Sequence, residues 1–173
     1  MGRSNLNVIR NIKDICIMLN LDAKIICERS KVLLSMYRDL CWITQGKAVD
    51  EKEELEELCT GSLDTALSYL YEFAPKENRI EIKTRIKVLF ENRHFLRMVD
   101  MAVQKVAEYP DGGEVYADIL KKCYLGIKIY KESEMLALLD MERSTYYDKK
   151  RIAVTLFGIV MWGCILPEHK KVA

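Results

Sequence analysis

The chain reads as all-α, a multi-helix N-terminal bundle followed by a C-terminal helix-turn-helix whose last helix is long. Three observations predict this. Half of the 173 residues are hydrophobic, ample for a core that needs no staples. Glycine (8) and proline (3) are scarce, which fits turn-rich all-β, collagen-like and disordered classes badly. Apolar residues recur at threes and fours through most of the chain.

The first helix is carried by Leu6, Ile9, Ile12, Cys16 and Leu19, with Arg10, Lys13 and Asp14 turned elsewhere. After Asn20 a longer pattern runs from Leu21 to about Thr44, where Ile26, Leu33, Tyr37, Leu40 and Cys41 share a face before Gly46 stops it. Six acids then fall within residues 50–57, relieved only by Lys52. They read as the solvated first turns of a short helix ending near Leu58, because acids suit a helix N-terminus, or as an acidic docking patch. Gly61 and Ser62 open a helix through Leu63, Leu67, Leu70 and Tyr71. Ala74-Pro75 closes it near a sub-boundary at 75, since the residue before proline avoids the helical region.

From Lys76 to Glu108 the set Ile82, Ile86, Leu89, Leu96, Val99, Val103 and Val106 keeps helical spacing, as one long helix or as two broken at Asn92. Eight basic residues against four acids over 76–105 leave a local charge of +4. Arg79, Lys83 and Lys87 recur every four residues and form a stripe on one face, placed for non-specific phosphate contacts. Tyr109-Pro110-Asp111-Gly112-Gly113 is the strongest punctuation in the sequence, and it divides a helical region, 1–109, from a helix-turn-helix region, 110–173. Beyond it a helix runs from Glu114 to about Tyr124, a turn lies near Gly126, a short helix covers about Lys131 to Leu139, and a final helix covers Ser144 to about Gly163.

Over the whole chain 27 Lys and Arg stand against 26 Asp and Glu, a net charge of +1. A grossly basic nucleic-acid coat is excluded, and any nucleic-acid contact must be local. The six cysteines (Cys16, Cys27, Cys41, Cys59, Cys123, Cys164) form no C-x-x-C pair, and the N-terminus lacks a secretory apolar run. Both point to a reducing cytoplasm, buried free thiols, no metal and no required disulfide. The two histidines, His94 and His169, have no partner at ligand spacing, and no phosphate loop or dinucleotide fingerprint occurs. Neither catalysis nor a cofactor is expected.

Residues 134–147, E-M-L-A-L-L-D-M-E-R-S-T-Y-Y, spell a short helix, a tight turn and a second helix. Met135 and Leu139 face a core, Met141 plugs the turn and Tyr146 is the first inward residue of the second helix. Tyr146, Ala153, Phe157 and Val160 fall within about forty degrees of one direction, while Ser144, Tyr147, Asp148 and Arg151 point away. The outward set is placed to meet double-stranded DNA. Four basic residues (Arg143, Lys149, Lys150, Arg151) against three acids (Asp140, Glu142, Asp148) leave only +1 over 140–151, which suits a weak or partner-assisted contact.

The run L-D-M-E-R-S-T-Y-Y-D-K-K-R-I-A-V-T-L-F-G-I-V-M-W-G resembles the C-terminal signature of phage and prophage transcriptional regulators of the ArpU and RinA type, which carry a helix-turn-helix similar to region four of sigma factors. Upstream, Y-K-E-S-E-M at 130–135 is similar to the start of that family's first helix. The resemblance covers roughly Glu114 to Gly163. It implies that Glu134 to Leu139 support, and that Arg143, Ser144, Thr145, Tyr147 and Arg151 lie on or beside the reading helix, with Lys149 and Lys150 as phosphate contacts. Asp140 stands where the family's turn glycine is usual and Glu142 where Ser or Thr caps the helix; Asp140 tolerates left-handed backbone, and Ser144 or Asp140 is available as the cap.

The resemblance implies a DNA-binding transcription regulator, its N-terminal helices organising a homo-oligomer or docking a partner such as RNA polymerase. The same residues also suit a helical protein-protein interaction module without DNA affinity, or a phage DNA-packaging adaptor assembling as a ring. The apolar run Ile152 to Leu166 is too short for a membrane span of about 20 residues, so no membrane is expected; it should pack in a core or against a partner, anchored by Trp162.

Overall fold

A computed structural model describes residues 2–44 and 62–172. The acidic run at 50–57, Gly46, Leu58 and Cys59 lie outside the described residues. Within them the chain is all-helical, without a strand. In order come α1 (Arg3–Met18), α2 (Ala23–Thr44), α3 (Ser62–Glu72), α4 (Arg79–Phe90), α5 (Arg93–Ala107), α6 (Gly113–Leu120), α7 (Glu132–Leu139), α8 (Arg143–Val160) and α9 (Leu166–Val172). Wider π-helical turns follow α6, at Lys121–Leu125, and α8, at Met161–Ile165.

The breaks have local chemical causes. Asn20 adopts φ 55°, the left-handed backbone that ends α1, and the Asp22 carboxylate then accepts from Lys24 N (2.9 Å) and Ile25 N (3.0 Å) to start α2. The pattern over 76–108 resolves into two helices. Asn92 is buried between them, and its side chain accepts from His94 N and Phe95 N at the start of α5. Asn78 caps α4 in the same way.

The corner between α5 and α6 needs both of its glycines. Gly112 has φ 83°, and a Cβ on Gly113 would lie 2.6 Å from the carbonyl oxygens of Val106 and Ala107. The core is continuous across this turn: Val103 and Val106 before it join Tyr116, Phe157 and Trp162 after it in one apolar cluster.

The centre of that cluster is α8. Every residue from Ile152 to Ile159 is buried, because α1, α2, α5 and α6 all pack on it. An apolar run with no polar face is what such a helix requires. Trp162 is 1% exposed, and its Nε1–H donates to the Leu70 carbonyl oxygen of α3 at 3.2 Å.

Two expectations are corrected here. The last helix does not stop at Gly163; it continues through the π-helical turn into α9, with Pro167 in the first turn of α9, where a missing N–H is tolerated. Glycines 158 and 163 act as sites of close approach and not as stops, since a Cβ on Gly158 would lie 2.3 Å from Ile26 Cγ2 and Ser30 Oγ. The continuous helix Arg143–His169 has 27 residues and holds an 18-residue window with a mean hydropathy of 1.5, by length and composition enough to cross a membrane, so shortness does not argue against a span. Its burial does: 61% of the apolar window lies inside the protein.

The thiols differ from one another. Cys16 and Cys27 are buried and Cys41 and Cys123 half-buried, whereas Cys164 is exposed, against the expectation that all would be buried; all five are free. Burial pushes the Cys16 and Cys41 thiols above their ordinary range.

Candidate nucleic-acid interface

Helices α7 and α8 meet at a three-residue turn. Asp140 takes φ 50° and ψ 52°, as a residue standing in for glycine must, while Met141 N–H donates to Leu136 O (3.1 Å) and Asp140 N–H to Ala137 O (3.3 Å). These bonds close the end of α7 with a left-handed cap. At its other end Glu134 reaches back to accept from Lys131 N at 2.8 Å. Neither Ser144 nor Asp140 caps α8. Glu142 occupies that position with no side-chain hydrogen bond, because Asp140 is already committed to ending α7 and Ser144 lies inside α8.

The pair is mounted on the bundle through Met135, which is buried, and Tyr146, which is 4% exposed with its hydroxyl 3.1 Å from Cys123 Sγ. Burial first, and the Cys123 contact second, hold the Tyr146 phenol far above its ordinary range; burial, with Cys123 and Cys27 adding to it, takes Tyr124 up to about 12. Both are therefore neutral structural groups.

The preceding loop is held by one side chain. The Arg38 guanidinium of α2 donates from Nε to Gly126 O (2.6 Å), from Nη1 to Cys123 O (2.8 Å), and from Nη2 to Lys122 O (3.0 Å) and Lys128 O (3.2 Å). These include carbonyls left open by the end of the π-helical turn, so Arg38 serves as a cap from another helix. Two turns and more earlier on α2, Arg29 does the same for α3, donating to Phe73 O (2.9 Å) and Glu72 O (3.2 Å).

On the outward face, Ser144, Tyr147 and Arg151 are exposed and Thr145 is half-buried. Among the described residues the Ser144 and Thr145 side chains make no hydrogen bond. Glu132, at the start of α7, engages two of the expected contacts at once: its carboxylate lies 3.1 Å from Arg143 Nε and accepts from the Tyr147 hydroxyl. That hydrogen bond raises the Tyr147 phenol above its ordinary value. Lys149 and Lys150 are half-buried on the flank, Lys149 Nζ at 5.6 Å from the Tyr116 ring centre and Lys150 Nζ at 5.4 Å from Tyr124 and 5.8 Å from Tyr146.

Arg151 faces a cleft of about 620 Å³ between α1, α2 and α8. Lys13 of α1 and Lys24 and Lys31 of α2 line it too, over a floor that includes Ile12, Cys27 and Ile152. Sequence reasoning did not connect these lysines with the reading helix. Nothing local marks them, since they lie some 120 residues or more before Arg151 and only tertiary packing brings them to it. The stripe, by contrast, is engaged: Arg79 donates to the neutral Ser35 Oγ (2.8 Å), while Lys83 pairs with Asp39 (3.2 Å) and Lys87 with Glu91 (4.0 Å).

Among the described residues no three His, Cys, Asp or Glu side chains gather where they could hold a metal ion. No family model, curated protein or solved structure matches the chain.

Proposed function

We propose that the protein is a DNA-binding transcriptional regulator of phage or prophage type, reading the major groove with the first turns of α8. One observation carries this reading. A single helix is buried at every residue over Ile152–Ile159, yet its preceding two turns, rooted in the bundle through Tyr146, leave one face open and present Ser144, Tyr147 and Arg151 to solvent. A rigidly rooted helix with one free polar face is what groove readout needs.

Arg143 and Arg151 are eight residues apart, about 12 Å along the axis, comparable with the width of a major groove of about 12 Å. On this reading the two arginines lie toward the phosphate walls and Ser144 and Tyr147 face the base edges between them. Selection of duplexes from a random pool tests it. Tyr147→Ala should erase the preferred sequence, whereas Arg151→Ala should weaken binding uniformly and lower the salt slope by about 0.9. A pool that yields no preferred sequence overturns it.

A second reading, a helical interaction module without DNA affinity, is favoured by the acids on this surface. Glu132 occupies Arg143 and Tyr147, and Glu142 is exposed beside them. Solution mass with and without duplex DNA separates the two readings.

A further inference from the structure

A cation is most available to phosphate where no protein group already compensates it. Of the positive side chains near the reading helix, Arg143 is held by Glu132, and Lys149 and Lys150 stand over tyrosine rings. Lys13, Lys24, Lys31 and Arg151 differ: among the described residues none makes a hydrogen bond or an ion pair, although all four line one cleft. Glu28 and Asp148 line it as well, which leaves a net charge of +2 from four cations and two carboxylates. Three separate helices supply the cations, so folding and not a flexible tail assembles them. The apolar floor beneath is low-dielectric and concentrates their field outward.

The cleft runs beside α8 from Asp148 to Thr155, directly beyond the turns that present Ser144 and Tyr147. A duplex seated on those residues brings a sugar-phosphate strand to Arg151 and to the mouth of the cleft. We propose that Lys13, Lys24 and Lys31 form, with Arg151, a phosphate-binding ledge for that strand. This rests on the groove-reading function above. It explains how a chain with a net charge of +1 overall, and of +1 along residues 140–151, holds a polyanion: the charge is gathered in space from α1 and α2.

The test uses the full chain, a random-sequence duplex and duplexes selected from a pool, with affinity measured by fluorescence anisotropy from about 50 to 200 mM salt. K13Q/K24Q/K31Q changes only exposed side chains, and a thermal melt reports whether the fold is kept. Each lost phosphate contact flattens the slope of log K against log salt by about 0.9, about 2.7 for three, so the affinity lost across that fourfold salt range shrinks by about 40-fold. K13R/K24R/K31R should keep the wild-type slope, and R79Q/K83Q/K87Q should change it less than the ledge variant does. Glu28→Gln should tighten binding without changing the preferred sequence. If the wild type selects a sequence and the glutamine variant keeps the same slope, the ledge is refuted and the groove-reading function stands. If the slope falls as expected but the pool yields no preferred sequence, the ledge stands as a non-specific site and the reading helix is no reader. Failure of the wild type to bind either duplex at the lowest salt overturns both.

Discussion

Gly158→Ala and Gly163→Ala make the same substitution twice on one continuous helix, and the structure gives the two opposite signs. A Cβ at 158 would meet Ile26 Cγ2 and Ser30 Oγ at 2.3 Å and Ile26 O at 3.0 Å, where ordinary contact begins at 3.4 Å. These obstacles are stiff: the Ile26 methyl branches directly from its Cβ, and Ser30 Oγ is fixed by donating to Ile26 O at 2.7 Å. Relief of about 1 Å therefore requires α2 and α8 to separate. Overpacking of this kind costs about 3 kcal/mol at the upper end of its usual range, and alanine's helical advantage over glycine returns about 1, for a net loss of about 2 kcal/mol. For a chain of this size that lowers the melting temperature by about 4–8 °C. At 163 a Cβ meets only the terminal Cδ1 atoms of Leu19 and Leu21, at 2.9 Å, and Leu19 is 38% exposed. Those ends can swing away, so Gly163→Ala should be neutral or stabilising by up to about 1 kcal/mol. Urea unfolding of both variants, with unchanged m, reads the difference. Equal effects at the two sites, or a Gly158→Ala as stable as the wild type, would refute the close approach as the reason for that glycine.

Trp162→Ala should destabilise by about 3–5 kcal/mol in the same assay, and Trp162→Phe by less, because the ring volume is mostly kept while the Leu70 carbonyl loses its donor. Arg38→Met should raise hydrogen exchange over residues 121–131 before it changes global unfolding, since it opens four loop carbonyls and leaves the central core untouched; protection unchanged in that stretch would show that the contacts are incidental. Glu132→Gln removes the charged acceptor that keeps Tyr147 protonated, so the Tyr147 phenol should titrate at lower pH, followed by its ring-carbon shift, and Arg143, released, should steepen the DNA salt slope by about 0.9. With the native protein, a thiol reagent should modify Cys164 ahead of Cys16, Cys27 and Cys41; faster labelling of Cys16 than of Cys164 would contradict its burial.

The helices and their breaks were legible because their causes are local. Apolar spacing, the break at Asn92, Asn20 and Asp140 at helix ends, and the glycine pair at 112–113 all act within a few residues of themselves, whereas the Asn78 cap is hidden inside a pattern that reads as helical from Lys76. The end of the last helix was not legible for the opposite reason. Gly163 and Pro167 are stop signals by composition, but Gly163 lies inside the continuing helix beside Leu19 and Leu21, a contact between segments distant in sequence. Arg29 and Arg38 carry no motif either: the carbonyls they cap lie 43 to 90 residues away.

The candidate interface divides along the same line. Which face of α8 turns outward follows from its own periodicity, so the exposure of Ser144, Tyr147 and Arg151 could be read from spacing. Which cations are available could not, because that depends on partners from other elements. Arg143 and the stripe look free in the sequence and prove engaged, by Glu132, Ser35, Asp39 and Glu91. Lys13, Lys24 and Lys31 look like scattered surface charge and prove to be neighbours of Arg151 across one cleft. Charge summed along a stretch of chain therefore mismeasures a binding surface in both directions. It counts cations already neutralised by a folded neighbour, and it omits those that folding delivers from elsewhere. For a protein of nearly zero net charge the second error decides the matter, since a ledge of three lysines can outweigh the acids that flank the reading helix only if it is assembled in three dimensions.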